Sequence, residues 1–262
     1  MPDPTAVRSM FARISGTYDL LNRGLSMGLD QRWRRAALKV ISAGESLGGQ
    51  TVVDICTGTG DLALLAARAG AQVVGLDFTR EMVARAPAKA EKQSSKASQG
   101  ATLFVHGDAQ KLPLVSGQAD AATVAFGIRN TSDRIQTLNE MARVVRPGGR
   151  VVVLEFSTPR SAFFGALYRG YFTRVLPCLG RIVSRDADAY SYLPRSVLAW
   201  PNPKEFQAEF EALGLLDCGF RRLTGGIACL HHGTVADRAD PMHESSGVAS
   251  SKLSIPRRVV RS

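Results

Sequence analysis

Five short apolar runs punctuate the chain between residues 51 and 156: "TVVDI" (51–55), "AQVVGLD" (71–77), "ATLFVHGD" (101–108), "ADAATVAF" (119–126) and "RVVVLEF" (150–156). They are rich in β-branched residues and continuous rather than alternating, as in strands covered on both faces. Helical patterns separate several of them. "DLALLAARAG" (61–70) puts Leu62, Leu65, Ala66 and Ala69 on one face and ends at a glycine. "TREMVARAPAKAEK" (79–92) starts as a helix that Pro87 disturbs in its second half, and "QSSKASQG" (93–100) is a polar loop. Over 133–145, Ile135, Leu138, Met141, Ala142 and Val145 follow a 3.6-residue period. Thr131, Ser132 and Asp133 offer N-capping oxygens there, and "RPGG" (146–149) stops the helix. Two further strands, 215–223 and 227–232, joined at Gly225–Gly226, complete seven. Such alternation predicts an α/β fold: a mostly parallel seven-stranded sheet with helices on both faces.

The flanks differ. Val7, Met10, Phe11 and Ile14 form one helical stripe, and Trp33, Ala36, Ala37, Val40 and Ile41 another. Between them "GTYDLLNRGLSMGLDQ" (16–31) reads as a loop carrying Tyr18, Asp19 and Asn22. "FFGALYRGYFTRVLPCLGR" (163–181) interleaves aromatics with arginines, and the tail from Ala236 to Ser262 has no periodicity and reads as disordered. The expected organisation is a helical cap over 1–45, a core over 46–235 with a helical insertion at 160–200, and a basic tail over 236–262.

Net charge is +10, so a polyanion is an expected neighbour: nucleic acid or an anionic membrane face. No run reaches membrane-span length and the first residues lack an apolar signal core, so a cytoplasmic protein is expected. Cys56, Cys178, Cys218 and Cys229 lack CxxC spacing and read as thiols. His106, His231, His232 and His243 share no ligand spacing with them, so no metal site is expected.

"DICTGTGDLA" (54–63) follows the first strand and opens a helix. Gly58 and Gly60 permit positive φ and a close ligand approach. The G-x-G-x-x-A spacing half-matches a dinucleotide fingerprint, which keeps an NAD-binding dehydrogenase as an alternative. Asp54 and Asp61 at this loop argue for a cationic ligand without phosphate over a pyrophosphate. S-adenosylmethionine fits, and D-x-x-x-G-x-G is the loop of class I methyltransferases. Asp77 ends the second strand, where a carboxylate accepts ribose hydroxyls. Asp108–Ala109 follows the third strand, on the adenine side. Arg129 and Asn130 follow the fourth, where an arginine stabilises an oxyanion.

"YDLLN" (18–22), "LDQRWRR" (29–35), "DICTGTGDLAL" (54–64), "GLDFTREMV" (75–83), "GDAQKLP" (107–113), "AFGIRNTSD" (125–133), "VVRPGGRVVVLEFS" (144–157), "VLPCLGRIVSRDADAYSYLPRSV" (175–197) and "LTGGIACLHHG" (223–233) occur in this order. Over these blocks, roughly residues 5–233, the chain resembles the UbiE/MenG family of quinone-biosynthesis C-methyltransferases. The resemblance implies a class I methyltransferase fold, S-adenosyl-L-methionine as cofactor, and a polyprenyl hydroquinone methylated on a ring carbon. It implies that Thr59, Asp77 and the Asp108–Ala109 pair bind the cofactor, with Asp54, Gly58 and Gly60 building its loop. It matches Arg129, Asn130, Tyr18 and Asp77 to the family's proposed catalytic network. Two positions depart from the family pattern: Asp30, often His, and Ala125, Ser in some members.

The expected reaction converts demethylmenaquinol to menaquinol. The equivalent methylation of a polyprenyl benzoquinol in ubiquinone synthesis is the alternative. Removing a phenolic proton pushes charge onto the ortho carbon, which attacks the sulfonium methyl. Arg129 suits stabilisation of that anion but not proton abstraction, because guanidinium stays protonated. The 163–181 segment suits a polyprenyl groove beside lipid phosphates. Phe126–Gly127 stands where nucleic-acid methyltransferases carry Pro-Pro-Tyr or Pro-Cys, so nucleic acid is not the expected substrate. Self-association stays open.

Overall fold

The structure is a computed structural model that describes residues 4–93, 100–159 and 187–237. The aromatic segment 163–181, Cys178, the first part of the 160–200 insertion and most of the basic tail lie outside the described residues. The seven strands are β1 (Thr51–Ile55), β2 (Gln72–Asp77), β3 (Ala101–His106), β4 (Ala119–Ala125), β5 (Val145–Phe156), β6 (Leu216–Leu223) and β7 (Ala228–Thr234). They form one sheet in the order β3-β2-β1-β4-β5-β7-β6. β1 to β5 pair in parallel, with Val53 opposite Val74 and Ala122. β7 runs antiparallel between β5 and β6. The chain therefore starts at mid-sheet, travels out to β3 and crosses back to β4. That reversal leaves a crevice above the carboxyl ends of β1 and β4.

The period-2 alternation of each strand divides the core. Val53, Ile55, Val124, Val151 and Val153 face Leu138 and Met141 of α7 (Arg134–Val144) and Phe206 and Phe210 of α9 (Pro203–Ala212). Val52, Val73, Ala121, Val152 and Leu154 face Trp33, Ala37 and Ile41 of α3 (Leu29–Ile41) and Leu62, Ala63 and Ala66 of α4 (Asp61–Arg68). Helix α3 thus belongs to the core of the sheet, although it lies within the expected cap. Among the described residues, α1 (Pro4–Ile14) and α2 (Tyr18–Leu25) precede it.

Several elements differ from the expectations. Residues 16–31 are mostly helical, not a loop: α2 fills Tyr18–Leu25 and α3 begins at Leu29. The 79–92 stretch is two helices, α5 (Arg80–Val83) and α6 (Ala86–Gln93). Pro87 falls in the first turn of α6, where its missing N–H would have no intrahelical partner. Strand β5 starts at Val145, directly after α7, so "RPGG" lies within the strand. Helix α9 was not anticipated, yet Asn202 accepts from the Lys204 and Glu205 amides while Glu205 accepts from Asn202 N–H. That reciprocal cap is spelled out as N-x-x-E. Part of the insertion is helix α8 (Ala187–Leu198).

His231 on β7 is 1% exposed, with Nε2 3.1 Å from the Pro203 carbonyl oxygen. Burial pushes its pKa down to about 4. An unfolded histidine takes its proton near pH 6.5. The neutral ring therefore supports folding fully above that pH, and this contribution is lost as pH falls toward 4. Asp54, raised to about 6, works in the opposite sense, so the imidazole itself is the clean readout. Imidazole ¹⁵N shifts should report a neutral His231 at pH 5, and a protonated ring there would contradict this packing.

Candidate active site

The crevice holds a cavity walled by the loops after β1, β2, β3 and β4 and covered by α1 and α2. Its wall includes Tyr18, Gly58, Asp77, Phe78, Asp108, Ala109 and Asn130. Two non-glycine residues take left-handed backbone here, Cys56 (φ 52°) and Phe126 (φ 60°), each just beyond a central parallel strand. Such strain persists only where the surroundings over-determine it, and it concentrates at ligand sites. Gly127 allows the two turns to meet, since a Cβ there would fall 2.3 Å from the Cys56 Cβ. Burial and the surrounding carboxylates push the Cys56 thiol well up, so the wall presents a neutral thiol.

Asp54 braces the glycine loop from beneath. Its Oδ2 accepts from Thr57 Oγ1 at 2.6 Å and from the Ala63 amide at 3.2 Å. It is 2% exposed and its carboxyl is pushed up to about 6 by burial. Gly60 is also a packing residue: a Cβ would meet the Phe104 ring at 2.9 Å. Thr59 donates to Asp19 Oδ1 at 2.6 Å, which ties α2 down onto the loop. The structure thus puts Asp54, Thr59 and Gly60 in the support of the loop, while Gly58 reaches the wall.

The charge at this loop differs from the expectation. Asp61 is not an open carboxylate: Lys89 Nζ lies 2.5 Å from it, and Arg34 stands 3.9 Å away. Against the burial that raises it, Arg34 and Lys89 hold the Asp61 carboxyl below its usual range. Lys89 also bonds Asp19 at 2.6 Å and Thr59 at 3.0 Å. A pyrophosphate is disfavoured here for another reason. It needs loop amides, and those of Gly58, Gly60 and Ala63 already donate to Asp77, Thr57 and Asp54.

Asp77 accepts from the Gly58 amide through Oδ2 and from the Thr79 amide through Oδ1, both at 2.8 Å. The Thr79 hydroxyl donates to the same carboxylate. The half-buried side chain stands on the cavity wall. Burial pushes its carboxyl up despite the two amides. Phe78, 40% exposed, offers a flat apolar face next to it. Asp108 Oδ1 accepts from the Gln110 backbone amide at 2.9 Å and from its side-chain amide at 3.3 Å. Tyr18 packs edge-on against Phe11 at 5.9 Å, and burial pushes its hydroxyl pKa up.

A second cavity adjoins this one between α1, the 3₁₀ turn Ile128–Asn130 and α8, sharing Val7, Thr131 and Ser132 with the first. Asn130, on the wall of the first, accepts through Oδ1 from Tyr192 Oη, on the wall of the second, at 3.0 Å. The second cavity is lined by Met10, Ile128, Arg129, Tyr192 and Trp200, among others. Arg129 therefore faces this cavity and not the first. Its Nη1 donates to Glu155 Oε1 at 2.7 Å and to the Phe126 carbonyl at 2.6 Å, and its guanidinium stacks 5.2 Å from the Phe156 ring centroid. Glu155 is fully buried. Burial pushes its carboxyl up while Arg129 pulls the other way, and its Oε2 has no partner.

Phe78, Lys89, Glu155 and Tyr192 had no role in the sequence-based site. Glu155 was detectable as an acid inside the apolar run "VVVLEF". Lys89 and Tyr192 act across long separations and leave no local signal.

The family model described as the ubiE/COQ5 methyltransferase family matches residues 2–235. The chain belongs to this family. It is 47% identical over 227 residues to a demethylmenaquinone methyltransferase of Deinococcus radiodurans, covering 85% of this chain and 90% of that one. It is 44% identical over 230 residues to the ubiquinone/menaquinone biosynthesis C-methyltransferase UbiE of Geobacter sulfurreducens, covering 87% of each. Among solved structures, the magnesium protoporphyrin IX methyltransferase of Synechocystis PCC 6803, with bound SAH, aligns with a TM-score of 0.61. It shares 17% identity, over 89% of this chain and 100% of that one. That likeness concerns the fold: a Rossmann-like methyltransferase sheet.

Proposed function

We propose that the protein is an S-adenosylmethionine-dependent C-methyltransferase that converts demethylmenaquinol to menaquinol. The observation that carries this is the pair of adjoining cavities that share Val7, Thr131 and Ser132, with the Asn130–Tyr192 hydrogen bond running between their walls. One presents Asp77 and Asp108, and the other sets Met10, Ile128 and Trp200 beside the buried Arg129, with Arg13, Arg134 and Arg195 also on its wall. The donor set fits S-adenosylmethionine: Asp77 toward the ribose, Asp108 and Phe78 toward the adenine, and loop amides already engaged, as a phosphate-free ligand allows. When bound, the cofactor supplies an electrophilic sulfonium methyl. The quinol ring sits in the second cavity, and Arg129 stabilises the phenolate that directs charge to the ortho carbon. Asn130, fixed by Tyr192, orients the ring. Tyr18 and α2 cover the first cavity and exclude water.

The net charge of +10 supports a peripheral encounter with an anionic membrane, where a polyprenyl substrate resides. Among the described residues no helix is long and apolar enough to cross a membrane. A direct assay supplies reduced demethylmenaquinone or the corresponding demethylated benzoquinol with isotopically methyl-labelled cofactor, and mass spectrometry locates the label. The naphthoquinol should be methylated on the ring carbon at the higher kcat/KM. Preference for the benzoquinol would move the protein to ubiquinone synthesis, and labelling of neither would remove the quinol assignment.

A further inference from the structure

Arg34 on α3 is a buried cation without a short bond. Its side chain is 7% exposed. Nε lies 3.7 Å from Asp30 Oδ2 and Nη2 lies 3.9 Å from Asp61 Oδ2, both beyond hydrogen-bond reach. Nε is buried and has no partner. The two carboxylates have nearer partners of their own. Asp30 accepts from Ser26 at 2.8 Å and from Gln31 at 3.0 Å, and Asp61 holds Lys89 at 2.5 Å. A buried guanidinium in this condition is costly unless an anion completes its bonding.

Its position says which anion. The guanidinium carbon stands 5.5 Å from the centroid of the Phe126 ring, and its charge acts on Tyr18 and Asp54. Tyr18 and Phe126 wall the first cavity. Arg34 thus stands behind Phe126 rather than on the wall itself, and a nucleoside with its base at Asp108 and its ribose at Asp77 would bring its 5′ substituent toward Gly58 and this end. Of the other cations, Lys89 is held by Asp19 and Asp61 and Arg129 by Glu155, while Arg8, on the cavity wall, stacks over Phe78 at the adenine end. We propose that Arg34 receives the α-carboxylate of the amino-acid end of S-adenosylmethionine, an assignment that rests on the cofactor reading above.

Calorimetry with three probes separates this contact from the rest of the site. They are S-adenosylhomocysteine, decarboxylated S-adenosylmethionine, which lacks the carboxylate, and 5′-methylthioadenosine, which lacks the whole amino-acid end. Wild-type protein should bind decarboxylated S-adenosylmethionine at least tenfold more weakly than S-adenosylmethionine. Arg34→Gln should weaken S-adenosylhomocysteine at least tenfold and leave 5′-methylthioadenosine unchanged, which also shows that the nucleoside site is folded. Arg34→Lys keeps the charge without the planar fork and should fall between. Equal affinity of the wild type for S-adenosylmethionine and its decarboxylated form would overturn the proposal with no variant needed. So would parallel changes for S-adenosylhomocysteine and 5′-methylthioadenosine in the variants. A wild type that binds none of the probes would overturn the cofactor reading, and this proposal with it.

Discussion

Arg129→Ala should abolish most methyl transfer, by about 10²–10³-fold in kcat, the scale of removing one oxyanion donor. It should also destabilise the fold. Arg129 is the ion-pair partner of a fully buried Glu155, and breaking such a pair by deleting one member costs about 3–5 kcal/mol. The two effects need separating, and the pair supplies the means. Arg129→Ala leaves Glu155 without its cation, in surroundings that already push its carboxyl up. The variant's folded state holds that proton more tightly than its unfolded state. The contribution of Glu155 to the variant's stability is therefore fully present below its unfolded pKa and is lost as pH rises through its folded pKa. Arg129→Ala combined with Glu155→Gln removes the stranded charge. The double variant should recover most of the lost stability, by denaturant midpoint at pH 7, while its kcat stays low. Arg129→Lys retains the charge but loses the stacking on Phe156 and the planar donor geometry, so it should rank between Ala and wild type in rate. Wild-type turnover in the stable double variant would remove Arg129 from the chemistry. A raised KM at unchanged kcat would reduce it to holding the ring.

The sequence discloses the sheet and the carboxylates at its edge because both depend on local pattern. The runs at 51–55 and 119–126 are mostly apolar, with Asp54 and Asp120 the exceptions, since both faces of β1 and β4 are covered, and Asp77 ends β2 while Asp108 stands two residues beyond β3. Helix α2 is another matter. Tyr18–Leu25 contains Asn22 and Gly24, and what holds it is tertiary: Tyr18 against Phe11, and Asp19 on Thr59 and Lys89. No local period encodes those contacts. The charge around the glycine loop was misjudged for the same reason. Asp61 looks like an open acid in the sequence, but its partners Lys89 and Arg34 lie on other helices. Left-handed Cys56 and Phe126 carry no glycine to announce them, so the strain at the centre of the site is visible only in three dimensions. Arg129 was legible as a functional position, since an arginine after an apolar strand has no packing reason to be there. Its burial against Glu155 was not, because the two are joined by folding across 26 residues.

Asp77→Ala should weaken S-adenosylmethionine binding by about 100-fold, because two ribose hydroxyls lose a charged acceptor, each such bond being worth about 1.5–3 kcal/mol and not fully additive. The loss has a second component. Asp77 also receives the Gly58 and Thr79 amides, so its removal frees the glycine loop and the turn after β2 at once. Asp77→Asn tests the division. An amide oxygen can still accept one of those N–H groups, but its NH₂ faces the other donor, and the charge is gone. Asn should therefore lose nearly as much affinity as Ala while disturbing the loop less. Calorimetry gives the affinity, and amide exchange at Gly58 and Thr79 gives the loop order. If the ribose contact dominates, exchange in the Asn variant stays near wild type while the cofactor Kd rises. If loop order dominates, affinity and exchange move together across both variants. Unchanged affinity in Asp77→Ala would mean that the carboxylate only braces the turn, and the nucleoside would have to be held by Asp108 and Phe78 instead.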